Sequence, residues 1–232
     1  KLIVYKDSVL ENMLDTAGVG VPTTFDELLS SGKKLKSGDI SGVAMRSKAD
    51  GTAGSWPGGG FVFSNGGVII QDGVCMLDSP EAIEAIHYYG TILKEAGPLG
   101  VGNYHWYECL NDYMQEVCAI GMDSSNFAGD IENPEKSNAA GHTTYGAMVS
   151  GPGKTAKPNM WHWMSGINSK SQNKAAAFLF LTWANSKPTC LMSSALGLAT
   201  TRTSAWESEG FKSAFGAQAA TAALQNLQNA DG

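Results

Sequence analysis

Apolar residues along this chain recur with two different periods, and the switches between them mark its elements. Leu2-Ile3-Val4-Tyr5 is β-branched and aromatic and predicts a strand at the outset. Ser8–Thr16 has helical spacing, with Val9, Met13 and Leu14 on one side and Gly18 closing it. Thr24 followed three residues later by Glu27 forms a capping-box signature, and Leu28-Leu29 begin the apolar face behind it. Gly42-Val43-Ala44-Met45 predicts a short strand running into a glycine-rich stretch, Gly51–Gly60, that holds Ser55, Trp56 and Pro57. After Phe61-Val62-Phe63, Ser64-Asn65-Gly66-Gly67 reads as a turn before the strand Val68-Ile69-Ile70.

The second half alternates more regularly. Asp78-Ser79-Pro80-Glu81 opens a helix with a polar cap and a proline in the first turn. Ile83, Ile86, Gly90 and Leu93 mark its apolar face, and Gly97-Pro98 ends it. Trp106–Met114 is helical, Cys118–Met122 is a buried strand stopping at Asp123, and a short helix lies around Phe127–Ile131. Tyr145–Val149 and Trp161–Ile167 read as strands. Lys174–Trp183 is a strongly apolar helix ended by Pro188, and Ala217–Asn229 is helical in composition. Strands alternating with helices make the class α/β.

Composition sharpens this picture. The chain has 232 residues, 43% hydrophobic and 16% charged, enough to build a core in one large domain or two small ones. Sixteen Lys and Arg stand against 22 Asp and Glu, a formal charge of −6, so no basic face is available to track a nucleic-acid backbone. The longest apolar run, Ala175–Leu181 with Trp183-Ala184 beyond Thr182, is far shorter than the roughly 20 residues of a membrane span. Among the four cysteines none forms a CxxC pair; Cys109 and Cys118 could form a bridge or remain buried thiols. A strand beginning at the first residue suggests a partner upstream, and hence a fragment of a longer protein.

Catalytic templates fit poorly. There is no Gly-x-Ser-x-Gly elbow, and Gly151-Pro152-Gly153-Lys154-Thr155 lacks the preceding glycine of a Walker loop. His87, His105, His142 and His162 are scattered without metal-ligand spacing. Asp50, Asp123 and Asp130 sit at element ends, but no aromatic-flanked acid pair of the kind a glycosidase needs stands out. Binding chemistry fits better. Trp161-His162-Trp163 projects two indoles from one face of a strand, where they either pack into the core or cover the apolar face of a pyranose and donate one hydrogen bond each. Asp123-Ser124-Ser125-Asn126 follows a buried strand directly, at the strand end where open α/β sheets hold ligands, and offers short polar side chains to hydroxyl groups.

The order of these pieces resembles the family 1 extracellular solute-binding proteins of ABC importers. The resemblance rests on Tyr5-Lys6-Asp7, Ala17–Leu28, Gly42–Arg46, Ser64–Gly67, Leu77–Ala82, Met122–Gly129, Trp161–Trp163 with Gly166–Ser171, Ala176–Ser186 and Thr201–Ser204. It spans residues 1 to about 206 and is strongest toward the sugar and polyol receptors related to maltose-binding protein.

That resemblance implies a type II periplasmic-binding-protein-like fold with two α/β lobes that close on a solute. Residues 1–165 would be mostly lobe two, 166–204 a return segment belonging to lobe one, and 205–232 a helical tail heading back to lobe two. Asp123, Ser125 and Asn126 would face the cleft, with Trp161 and Trp163 on the returning strand. Trp56 and Arg46 would flank the loop opposite, and Arg202 would present a basic group to the cleft. The expected ligand is a sugar or polyol, held without cofactor, metal or covalent step by a monomer that docks on ABC permease subunits. Its expected location is the periplasm, or the outer face of a single-membrane bacterium by lipid anchor. The competing class is a carbohydrate-active enzyme such as a glycoside hydrolase, recognisable by two close carboxylates of perturbed pKa in a cleft.

Overall fold

The computed structural model describes residues 2–14 and 18–230. In chain order its elements begin with β1 (Leu2–Leu14), α1 (Phe25–Leu35), β2 (Ser41–Ala44), a π-helical turn (Gly54–Gly58) continued by α2 (Gly59–Ser64), and the hairpin β3 (Ile70–Gln71) and β4 (Val74–Cys75). Then come α3 (Pro80–Ala96), α4 (Trp106–Met114), β5 (Cys118–Ser124), a 3-10 turn (Ser125–Phe127) leading into α5 (Ala128–Ile131), β6 (Thr143–Gly146) and β7 (Met160–Ser165). Helices complete the chain: α6 (Lys174–Ala184), α7 (Lys187–Ser194), α8 (Thr203–Trp206), α9 (Glu209–Phe215) and α10 (Ala217–Asn229).

Strand β1 is the spine. Its first half pairs antiparallel with β7, and its second half lies between β5 and β6, antiparallel to both. On the far side of β5 lies β2, parallel, so the order is β2-β5-β1-β6 with β7 joined to the other end of β1. The helix expected at Ser8–Thr16 is therefore absent: Ser8–Leu14 is strand, and residues 15–16 lie outside the described part. Two neighbouring strands at once satisfy more backbone groups there than a short helix would, and tertiary pairing overrides helical spacing.

Two cores flank the sheet. In the first, α1 and α3 pack over β2 and β5, with Phe25 stacked on Phe61 at 4.6 Å between ring centres. Close approach here requires small residues. A Cβ at Gly32 of α1 would lie 2.6 Å from Val43 Cγ2 and 2.8 Å from Ala96 Cβ, and one at Gly42 would overlap the Gly32 backbone. Thr24 caps α1 by accepting the Glu27 N–H, but the Glu27 carboxylate turns to the N–H and hydroxyl of Thr23, one residue earlier than a capping box would have it. In the second core, Tyr113, Tyr145 and Ile131 meet Trp206, Phe211, Phe215 and the alanine face of α10.

Two further expectations are corrected, and a stretch left unassigned is resolved. The α3 face is built on Ala82, Ala85, Ile92, Leu93 and Ala96, whereas Ile83 and Ile86 point outward, because only alanine-sized groups allow α1 so near. The glycine-rich stretch is helical from Thr52, with the π-turn at its centre. Pro188 does not end α6; it lies in the first turn of α7, behind the Ser186 cap. All four cysteines are free thiols. Cys109 and Cys118 pack together around Ala44, and burial pushes both upward, Cys118 to about 11.

Candidate functional site

The parallel pair β2 and β5 sets the floor of a cleft. Ala44 lies opposite Gly121 in register, and two residues further on each strand stand Arg46 and Asp123. Both are buried. The Arg46 guanidinium donates from Nε at 3.0 and 2.8 Å and from Nη2 at 2.6 Å to the Asp123 carboxylate, which also accepts the Ser124 N–H at 2.7 Å. Removal from water raises the Asp123 carboxyl above its ordinary value, with the guanidinium and the Ser124 N–H acting in opposition. The charge of Arg46 is thus balanced from below, while its Cζ lies 4.9 Å over the Trp56 ring.

Trp56 comes from the π-turn. Pro57 has no N–H to donate into an ordinary helical ladder, and the turn opens to the wider form. The Trp56 ring meets Trp161 of β7 at 4.8 Å and 43°. Alternation along β7 places Trp163 on the same side as Trp161, and the pair is partly open to solvent at 49% and 36% exposure respectively, not core. At the end of β5, Ser124 caps the 3-10 turn by accepting the Asn126 N–H at 3.3 Å, turning Asn126 and Phe127 toward the same space. Phe127 rests against Trp106 at 5.5 Å, and His105, the cap of α4, closes that side.

These residues enclose a cleft of about 390 Å³ lined by Arg46, Trp56, Trp106, Asn126, Trp161 and Trp163, together with Thr52, Ser55, His105, Ser124 and Phe127. Among the described residues no carboxylate lines it. Asp50 lies near its rim, where Thr52 donates N–H and O–H to it and lowers its pKa; His105 Nε2 is 3.5 Å away. Asp130 pairs with Lys136 at 2.6 Å. No group of three or more potential metal ligands occurs among the described residues. Among the described residues the buried Trp56 Nε1 in the wall has no hydrogen-bond partner.

Of the eight residues expected at the site, five line the cleft: Arg46, Trp56, Asn126, Trp161 and Trp163. Three do not. Asp123 is turned under the floor to Arg46, and Ser125 is fully buried, so Ser124 takes the place expected of it. Arg202 donates Nε and Nη2 to the Asn185 carbonyl, at 2.9 and 2.7 Å, where α6 ends. Thr52, Ser55, His105, Trp106 and Phe127 were not anticipated. The run His105-Trp106-Tyr107 at a helix start was the available signal for one side. The helical fold of the glycine-rich stretch hid the other.

Comparison with known proteins identifies the fold and the family. The erythritol/L-threitol-binding protein of Mycolicibacterium smegmatis is 28% identical over 116 residues, 50% of this chain and 24% of that protein. An ABC transporter solute-binding protein from Agrobacterium radiobacter K84, solved with ribitol, superposes with a TM-score of 0.87 at 24% identity, over 99% of this chain and 59% of that one. Maltose-bound T. maritima MalE3 superposes at 0.89 with 20% identity, over 99% and 61%. The chain thus spans about a quarter of the curated relative and about three-fifths of these structures, and it shares their type II periplasmic-binding-protein-like α/β fold. No helix among the described residues is long and apolar enough to cross a membrane. The family model for bacterial extracellular solute-binding proteins matches residues 1–189, and the chain belongs to that family.

Proposed function

We propose that this chain belongs to a receptor that holds a neutral sugar or polyol in the cleft, without altering it, and delivers it to the membrane subunits of an ABC importer. The observation that carries the reading is the Trp56–Trp161–Trp163 wall, one of whose buried N–H groups has no acceptor among the described residues, in a cleft that Ser124, Asn126 and Thr52 also line. Indoles cover the apolar C–H faces of a polyhydroxylated ligand; a donor left without a partner in the protein is one that a ligand oxygen satisfies. The single guanidinium is already balanced by Asp123, which favours an uncharged ligand over an anionic one. Relatives named for erythritol, L-threitol, ribitol and maltose support the same class.

We read residues 1–165 as most of one lobe, 166–204 as a segment of the other, and 205–232 as the return. Support comes from α6, none of whose residues is buried although it is apolar on all sides, and from α9 and α10, which pack into the second core. Asp123, Ser125 and Arg202 act, on this reading, as framework: the first two under the binding strand end, the third at the end of α6. The protein works in the periplasm, or lipid-anchored outside a single membrane.

Titration of ribitol, erythritol and maltose into the protein, followed by indole fluorescence and by chromatography of the ligand, tests this. A saturable response is expected (on the order of millimolar or tighter), lost in Trp161→Ala, with the ligand recovered intact. No saturable response to any of the three, or consumption of the ligand, overturns it.

A further inference from the structure

The two indoles that face each other across the cleft wall come from distant parts of the chain, and one buried side chain ties their backbones together. Asn159 is 6% exposed and stands two residues before Trp161, just ahead of β7. Its Nδ2 donates at 2.9 Å to the carbonyl of Ser55, the residue immediately before Trp56 in the π-turn. The orientation of the amide is fixed by that partner, because the flipped form would set its oxygen against a carbonyl oxygen. Asn159 Oδ1 has no partner among the described residues.

Space for the amide is provided by glycines. A Cβ on Gly60 would lie 3.1 Å from Asn159 Oδ1 and 3.3 Å from Met148 Cε, and one on Gly59 would lie 3.8 Å from Asn159 Nδ2. A buried amide making a single bond, with its other polar atom unsatisfied, costs stability relative to an apolar residue of the same shape. A role for it in holding the wall accounts for its presence better than packing does.

We propose that Asn159 is a positioning residue for the binding wall: by fastening the Ser55 carbonyl it holds Trp56 against Trp161 at 43°, a wedge rather than a parallel stack. This rests on the reading of the wall as a sugar or polyol site, but the positioning itself is measurable without ligand. Two indoles at 4.8 Å couple their electronic transitions, and the coupling gives a paired positive and negative band in ultraviolet circular dichroism whose size depends on their mutual angle. Trp161→Phe removes the pair and identifies its signal.

In Asn159→Leu, which keeps the volume and removes the donor, the signal is expected to fall by about half or more, with unfolding still cooperative. In Gly60→Ala, whose added methyl presses on Oδ1 in a helix that otherwise favours alanine, a smaller fall is expected with unfolding still cooperative. Retention of the full signal in folded Asn159→Leu overturns the proposal. Should that variant not fold, an undiminished signal in Gly60→Ala overturns it instead. The ligand arm is separate: a signal that falls in the variants while the unaltered protein gives no response to ribitol, erythritol or maltose keeps the positioning role and defeats the receptor reading. An unchanged signal beside clear ligand binding does the reverse.

Discussion

The cleft wall and helix α6 both expose aromatic side chains, yet they are apolar in different ways. In the cleft, Trp161 and Trp163 alternate along a strand and face Ser124, Asn126, Thr52 and a charge-balanced guanidinium, so every ring has polar atoms within reach. On α6, Phe178, Leu179, Phe180 and Trp183 are each more than half exposed and follow one another around the helix, with only Thr182 interrupting, its hydroxyl turned back to the Phe178 carbonyl. A hydroxylated ligand needs the first arrangement, because each buried hydroxyl must find a partner. The second offers no polar partner to a hydroxyl, and none of its residues is buried. The same residue types thus write two instructions, and the interleaving of polar groups decides which.

The largest expected effect tests that distinction directly. Phe61 and Phe180 are the same side chain at 0% and 60% exposure. Phe61→Ala should cost about 3–5 kcal/mol of stability, since it empties the stack with Phe25 and the edge contact with Tyr89. Phe180→Ala should change stability by no more than about 0.5 kcal/mol. Urea unfolding of both variants reads the two effects. Similar costs at the two sites would mean that α6 is covered in solution by the protein itself.

Alkali separates the regions next. The cleft-bearing body holds thiols and phenols whose pKa burial raises: Cys109, Cys118, Tyr89, Tyr104 and Tyr145. A raised folded value means that the native state keeps protons which the unfolded chain releases. The stability they contribute is therefore complete below about pH 9 and lost as pH climbs through their folded values. For Cys118, going from 9.0 to about 11, the loss is roughly 3 kcal/mol. Urea midpoints measured from pH 8 to pH 11 should fall, and less steeply in Cys118→Ala; a flat profile would show those groups to be hydrated. Helix α6, which carries no cysteine or tyrosine, should contribute nothing to the slope.

How much of this was legible depended on whether local signals and tertiary packing agreed. Helices α4 and α10 begin and end where composition and spacing place them, because local preference and packing partner point one way, with a capping box besides at α4. The start of α3 was equally plain, but its buried face was not. Bulk alone favoured Ile83 and Ile86, and the deciding fact, the near contact of Gly32 with Ala96, is a property of two helices together. For the site, the strand-end rule and the paired indoles brought Asn126, Trp161 and Trp163 to one cleft. Nothing local could show that Asp123 would be turned beneath it by Arg46, 77 positions earlier, or that Arg202 would serve the end of α6. The glycine-rich stretch was misleading for a physical reason: glycine signals a turn, and here its smallness admits the Asn159 amide against a helix.

The smallest expected effect compares two buried indoles. Trp206 is 8% exposed in the second core, stacks edge-on with Phe211, and donates Nε1 to the Thr200 carbonyl at 2.7 Å. Trp56 is 4% exposed, but its Nε1 has no acceptor among the described residues. Replacement by phenylalanine removes similar surface at both sites. At Trp206 it also breaks a hydrogen bond and strands a carbonyl; at Trp56 it relieves a donor that had none. Trp206→Phe should therefore be the more destabilising by about 1 kcal/mol in ligand-free urea unfolding. Equal costs would mean that Trp56 Nε1 is already satisfied by solvent. If a sugar or polyol oxygen is its natural acceptor, the order reverses in the ligand titration: Trp56→Phe loses affinity and Trp206→Phe keeps it. A core indole is finished when the chain folds, whereas one in a binding wall leaves a bond for the ligand to complete.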